Sequence, residues 1–341
     1  MLTKTVFRTL AAAGLIAVGV VYAVWKLNPG GPGVFRTELA DRFFEGYSEQ
    51  SGRIVRRDQG SDTVSEGQAY GLLLALAQGD AERFRLVWSW TDENLRRNDG
   101  LLPWRWDGGI VDEQPAADAD VDTAFALLIA GERFGDRTYA DEGRRIARAI
   151  MQEETEVIDG KRFLVAGPWA RSRSIINPSY VFPDAFEMFA RATGDQRWHE
   201  VLSTGLDAIA QLTSGGKELP PDWARVDAGR VVAIGGPDSQ DSPARYGADA
   251  PRTLVRLGTS CNERARKIAA DLKTAAASDA DGTSDSLKLV AVAAAAYASG
   301  DEATRDDFIG RLSDEAGATY YGAAWSALGP AFIEGRFVQC D

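Results

Sequence analysis

Histidine is almost missing from this chain: one residue in 341, beside two cysteines and three methionines. So few nitrogen and sulfur ligands exclude a structural zinc site, and Cys261 and Cys340 stand too far apart in sequence for a C-x-x-C redox pair. Basic residues are also in deficit. Thirty-eight Lys and Arg face 50 Asp and Glu, a net charge of −12. A surface of that sign lacks the footprint that neutralises phosphates, which excludes nucleic acid as an expected partner. What is present is a globular composition, 45% hydrophobic and 26% charged, with nine tryptophans. Neither a disordered nor a collagen-like chain has that balance. The length fits two domains or one large one.

The first 33 residues read as an export segment. Lys4 and Arg8 precede an uncharged, largely apolar run from about Leu10 to Trp25, and a Gly/Pro linker, Asn28-Pro29-Gly30-Gly31-Pro32-Gly33, follows. Basic residues before an apolar stretch are the layout of a secretory signal. Val21-Tyr22-Ala23 offers a cleavage site, and retention as an inner-membrane anchor stays open. A periplasmic or secreted protein is therefore expected, in a space where Cys261 and Cys340 are permitted to pair.

From residue 34 to 341 the expectation is a single all-α domain. Amphipathic stretches are expected over roughly 36–48, 65–79, 81–97, 119–134, 138–152, 180–193, 196–213, 249–258, 260–276, 284–299, 301–313 and 318–334. Phe84, Val87, Trp88, Thr91 and Leu95 step by threes and fours, as do Phe182, Phe186, Phe189 and Ala190. Gly79-Asp80, Gly135-Asp136, Gly194-Asp195 and Gly300-Asp301 punctuate the pattern, glycine being suited to end a helix. About twelve helices in stacked hairpins fit an α-solenoid or a closed barrel of helix pairs. Strand character is expected only in short pieces such as 162–165 and 230–234.

Three segments carry unusual chemistry. In Ser65-Glu66-Gly67-Gln68-Ala69-Tyr70-Gly71, Ser65 and Gln68 make a capping box, but two glycines in the opening turns each cost about 1 kcal/mol relative to alanine. They imply that something approaches the helix closely beside Glu66. Asp118, Asp120 and Asp122 alternate like the start of a calcium loop, yet Thr123 and Ile129 replace the required Gly and Glu. One Asp suffices to cap a helix, and clustered carboxylates are site candidates. In Asp249-Ala250-Pro251-Arg252, Asp249 reads as a helix cap and Arg252 as a partner for it or for a neighbouring acid. Around these lie aromatics in Pro-rich loops: Trp104, Trp106, Trp169, Tyr180 and Trp223. Flat rings stack on sugar faces, and carboxylates bind sugar hydroxyls. Acids and aromatics without a histidine base describe a carbohydrate hydrolase.

These segments, in this order, resemble glycoside hydrolase family 8, and within it the bacterial periplasmic cellulases that accompany cellulose synthase. Asn177-Pro178-Ser179-Tyr180 and Pro221-Asp222-Trp223 match as well, and the likeness runs over roughly 35–335. The resemblance implies an (α/α)6 barrel and an inverting endo-β-1,4-glucanase that needs neither metal nor cofactor. Carried over by position, Glu66 is the general acid, Asp249 the general base, and Asp118 a further family carboxylate, nucleophile or holder of the distorted sugar. Tyr70, Trp104, Trp106, Asp120, Tyr180, Trp223 and Arg252 are the implied sugar-binding residues. Ala117, Ala248 and Pro251 depart from the family's usual Ser or Thr, aromatic and aliphatic residues, which bears on subsite shape. A monomer is expected, with β-glucan as substrate and the cellulose synthase complex as a further partner. Xylan, mixed-linkage glucan or chitosan would suit the same chemistry. A non-catalytic β-glucan-binding component is the alternative from another class, and a helical scaffold for protein partners a third.

Overall fold

Each Gly-Asp junction turns one helix back along the next. The computed structural model describes residues 35–312 and 319–340, so the expected export segment lies outside the described residues. After α1 (Thr37–Tyr47), α2 (Ser65–Gln78) ends at Gly79, whose φ of 73° is the left-handed conformation that glycine adopts without strain. Asp80 then accepts the Arg83 N–H at 2.9 Å and opens α3 (Ala81–Asn94). The same device joins α4 (Ala117–Arg133) to α5 (Arg137–Glu153), α6 (Pro183–Thr193) to α7 (Arg197–Leu212), and α10 (Ser286–Ala298) to α11 (Glu302–Gly310). With α8 (Pro251–Gly258), α9 (Glu263–Asp279) and α12 (Tyr320–Ile333), twelve α-helices stand among the described residues.

Their burial sorts them into two layers. Helices α2, α4, α8, α10 and α12 are enclosed nearly all round, the mark of an inner position. Helices α3, α5, α9 and α11 bury one side only and pack outside them. Neighbouring inner helices touch in the sequence α2, α4, α6, and again α8, α10, α12, with α12 returning to α1 and α2. A 3-10 turn, Pro178–Tyr180, packs on both α4 and α8 and fills the space between them. This is an (α/α)6 barrel. The periodic apolar positions are its core: Phe84, Val87, Trp88, Thr91 and Leu95 are buried, as are Phe182, Phe186, Phe189 and Ala190. Trp198, with none of its surface exposed, stacks on Phe186 at 5.4 Å and meets Phe189 edge-on at 4.9 Å.

Strand content exceeds the sequence expectation. Eight short strands form three antiparallel sheets in the connections: β1 (Thr63–Val64), β2 (Pro103–Trp106) and β3 (Ile110–Pro115); β4 (Thr155–Ile158) with β5 (Lys161–Leu164); and β6 (Ile175–Ile176), β7 (Trp223–Asp227) and β8 (Arg230–Ile234). Trp104, Trp106 and Trp223, expected in loops, therefore sit on strands, where aromatic residues pack well on a pleated surface. The register Thr63↔Trp106 ties β2 to the residues that lead into α2. Cys261 and Cys340 form a disulfide, Cα–Cα 5.1 Å, which holds the chain beyond α12 against the start of α9. No helix among the described residues is long and apolar enough to cross a membrane.

Candidate active site

The spacing of acids on α4 decides what each one meets. Residues four apart share a helix face, and the residue between them points away. Asp118 and Asp122 accordingly face α8, where Arg252 and Arg256 are also four apart. Arg252 Nη1 donates to Asp118 Oδ2 at 2.9 Å, and Arg256 Nη2 donates to both oxygens of Asp122 at 2.9 and 2.8 Å. Asp120 turns the other way. Its Oδ1 accepts the Leu102 N–H at 2.9 Å, and none of the residue is exposed. It is a buried framework acid rather than the sugar contact expected of it, because the helix period directs it out of the cleft.

Arg252 gathers the rest. Its Nη1 also donates to Glu66 Oε1 at 2.8 Å and its Nη2 to Asp249 Oδ1 at 2.8 Å. All three acids singled out by the sequence therefore converge on one guanidinium, which suits arginine's rigid fork. The arginine is sealed, its side chain 1% exposed, and Asp118 is nearly so at 6%. Glu66 and Asp249 open to solvent at 23% and 26%. Two carboxyls are thus presented to an incoming ligand, and they rest on separate prongs of the fork.

Electrostatics divides them further. Burial pushes the Glu66 carboxyl up to about 7; Arg252 opposes this, and the negative charges of Asp118 and Asp249 add to it. Asp249 is also raised, first by burial, against the pull of Arg252. Three acids share one cation, so full ionisation would leave two uncompensated charges. Asp122, on the deeper pair, is raised to about 6 by burial.

Local structure departs from expectation at both helix starts. Ser65 and Gln68 make no capping box; Val64 is the cap residue, and Gln68 is drawn inward. There its Oε1 accepts the Ile54 N–H at 2.6 Å and its Nε2 donates to Thr91 Oγ1 at 2.8 Å. The two glycines do permit close approach, but by protein. A Cβ on Gly67 would stand 2.4 Å from the Tyr320 hydroxyl, and one on Gly71 would stand 3.0 Å from Ile54. Asp249 does not cap α8 either, since the cap residue is Ala250. Its free oxygen, Oδ2, instead accepts from Asn177 Nδ2 at 3.0 Å.

The aromatics fall into two groups. Tyr180 lies under Arg252, 5.5 Å from guanidinium carbon to ring centre, and meets Trp223 edge-on at 6.3 Å; Trp223 in turn faces Trp169 at 6.4 Å. That row leads outward from the acids. Trp104 and Trp106 are half-buried on β2, with Trp106 packed edge-on to Trp90 at 5.2 Å and covered by Arg53 at 4.5 Å. Tyr70 is fully buried; its hydroxyl accepts from Arg252 Nη1 at 3.3 Å and Trp325 Nε1 at 3.2 Å. It therefore stands behind the acids, not on the open wall.

The chain and its barrel have counterparts among known proteins. The model of glycosyl hydrolases family 8 matches residues 40–331. The chain belongs to that family. An endoglucanase of Cellulomonas uda is 29% identical over 247 residues, 70% of this chain and 66% of the relative. A probable endoglucanase of Novacetimonas hansenii is 33% identical over 218 residues, 60% of this chain and 62% of the relative. The chain thus spans somewhat less than two thirds of the length of these relatives. The solved structure of the endo-β-1,4-glucanase CMCax from Acetobacter xylinum shares the fold, with a TM-score of 0.69 and 24% identity over 87% of this chain and 98% of that one. For this family 8 chain, sequence reasoning missed Asn177 as a partner of Asp249, and the deeper Arg256–Asp122 pair. The matched four-residue spacings on the two helices would have revealed that pair.

Proposed function

We propose that this glycoside hydrolase is an endo-acting β-1,4-glucanase that cleaves cellulose or a related β-glucan with inversion. The observation that carries the reading is the shared arginine, with Glu66 held partly protonated at neutral pH while Asp249 faces the same opening. Glu66 gives its proton to the glycosidic oxygen as the bond from that oxygen to the anomeric carbon breaks. Asp249 takes a proton from a water that attacks the anomeric carbon from the opposite face. Afterwards Glu66 is the carboxylate and Asp249 the acid, and exchange with solvent restores both. An inverting pair needs about 6.5–9.5 Å between its carboxyls to admit that water. Placement on separate prongs, not in mutual contact, is in keeping with this. Asp118, nearly sealed against Arg252, is suited to fix the arginine between the two open acids. Trp223 and Trp169, with Trp104 and Trp106 on β2, are proposed as the platforms along which the polymer lies.

The wider setting is part of the proposal. The disulfide supports an oxidising compartment, in line with an export segment over 1–33. Work as a monomer alongside cellulose synthesis, with the synthase complex as partner, is the role that the family resemblance suggests. The decisive assay is the viscosity of carboxymethylcellulose. Glu66→Gln should lower the rate by about 10²- to 10⁴-fold with the fold intact, the range for loss of a general acid. Undiminished activity would end this assignment. Proton NMR of the first products from a β-linked oligosaccharide should show the α-anomer, and a β-anomer first would refute inversion. A panel of β-glucans, xylan and chitosan read by product size identifies the polymer.

A further inference from the structure

The proposed base rides on irregular chain. Between β8, which ends at Ile234, and α8, which starts at Pro251, residues 235–250 form no helix or strand. Asp249 lies at the very end of that stretch. A catalytic carboxylate on a long loop must be fixed by contacts outside the loop, since misplacement by about 1 Å can reduce a rate 10²-fold.

One oxygen supplies most of those contacts. Asp222 Oδ1 accepts three backbone N–H groups: from Gly247 at 3.1 Å, from Asp249 at 3.0 Å and from Ala250 at 2.7 Å. Asp222 is itself anchored. It follows the buried Pro220-Pro221 pair, adjoins β7, and donates its own N–H to Arg245 O at 2.8 Å. The fit is close on the loop side as well. A Cβ on Gly247 would come within 2.2 Å of Asp222 Oδ2, so glycine is required by space at that position. A second tie, from the Tyr321 hydroxyl to Ala248 O at 2.9 Å, reaches the same loop from α12.

We propose that Asp222 is the positioning residue of the catalytic base: its carboxylate clamps residues 247–250 and thereby sets where the Asp249 side chain stands. This rests on the reading of Asp249 as the base. A carboxylate suits the task because charge-assisted bonds to N–H groups are shorter and stronger than neutral ones. The clamp acts on the base in a second way, through charge. The polar groups that face Asp249 are Arg252 from α8, Asp118 from α4, Glu66 from α2, Asn177, Tyr180, Tyr321 and Asp222. Asp222 belongs to the negative set, and it favours the protonated form of Asp249. Its removal should therefore keep the base ionised to lower pH.

Three variants separate position from charge. In Asp222→Ala, hydrogen exchange at the amides of Gly247, Asp249 and Ala250 should accelerate, and kcat should fall about 10- to 100-fold with KM within about twofold. In Asp222→Asn the amide oxygen still accepts, so exchange protection and most of kcat should remain. The acid limb of kcat/KM should then move to lower pH, as one nearby negative charge is lost. Gly247→Ala, which displaces Asp222 without removing its charge, should reproduce the loss of kcat. Wild-type exchange in Asp222→Ala, or faster exchange with unchanged kcat, would overturn the clamp. An unmoved acid limb in Asp222→Asn would overturn the electrostatic coupling. Asp249→Asn is the independent control: if it stays active, the base is misassigned, while the exchange result still decides whether Asp222 holds the loop.

Discussion

Two charged pairs bridge α4 and α8 one helical turn apart, built from the same residue types, and they behave differently. The deeper one is balanced. Arg256 meets Asp122 alone, both side chains are nearly sealed at 1% and 3% exposure, and the Phe182 ring lies 5.0 Å beneath the guanidinium. The outer one is oversubscribed. Arg252 serves Glu66, Asp118 and Asp249, and two of these acids reach solvent. Identical components thus make a strut where charges match and the site is closed, and an open cluster with surplus acid, the proposed reactive centre, where they do not match. Burial is what chiefly holds a proton on Glu66 near neutral pH, and the surplus negative charge of Asp118 and Asp249 adds to it against the pull of Arg252.

The comparison breaks most visibly at the outer arginine. Arg252→Met leaves three acids without a cation. Activity should fall by at least 10²-fold, and stability should drop by about 3–5 kcal/mol, the usual effect of unpairing a buried charge. With Glu66 as the proposed acid, the alkaline limb of kcat/KM is expected near pH 7 and should move upward because the cation that favours the ionised form is gone. Survival of the wild-type profile would mean that Arg252 does not govern the acid.

A second effect, opposite in sign, belongs to Glu66 itself. Its carboxyl ordinarily titrates at 4.5 and in the fold at about 7, so the neutral form is the one that folding favours. That contribution is complete below pH 4.5 and is lost as pH rises through 7, a difference of about 3 kcal/mol. Glu66→Gln should therefore unfold at higher denaturant than the parent at pH 8 and at nearly the same concentration at pH 4. Chemical denaturation at the two pH values reads this directly, and equal stability at pH 8 would contradict it.

The smallest change is expected at the deeper pair when both partners go. Replacing a buried pair with apolar residues of similar size is often neutral or stabilising by about 1–4 kcal/mol. Arg256→Met with Asp122→Leu should retain activity within a few-fold and keep or raise the melting temperature. A large loss of kcat would make this strut a part of the reaction after all.

These two pairs also mark how far sequence alone could see. The helices were legible because apolar residues recur with helical period and each hairpin carries its own Gly-Asp signal, both local properties. Glu66, Asp118 and Asp249 were legible as unusual acids, since capping left too many of them unexplained. Their partners were not. Gln68 reads locally as half of a capping box, yet it spends its hydrogen bonds on Ile54 and Thr91. Asp120 is indistinguishable from Asp118 until the helix assigns them to opposite faces. Trp104, Trp106 and Trp223 fall in the hairpins β2–β3 and β7–β8, whose strands of four to six residues are too short to show a clear alternation. In these two sheets only the β1–β2 and β6–β7 pairings join distant segments.

The single guanidinium also has a consequence for biogenesis. Glu66 and Arg252 lie 186 residues apart, and Tyr70, which abuts that arginine, is braced by Trp325 from the last helix. Only chain that runs from Glu66 through Trp325 holds both open acids, the cation and its brace together. A chain that stops short of the last helix therefore has both acids and the arginine but not the indole that fixes the tyrosine behind them.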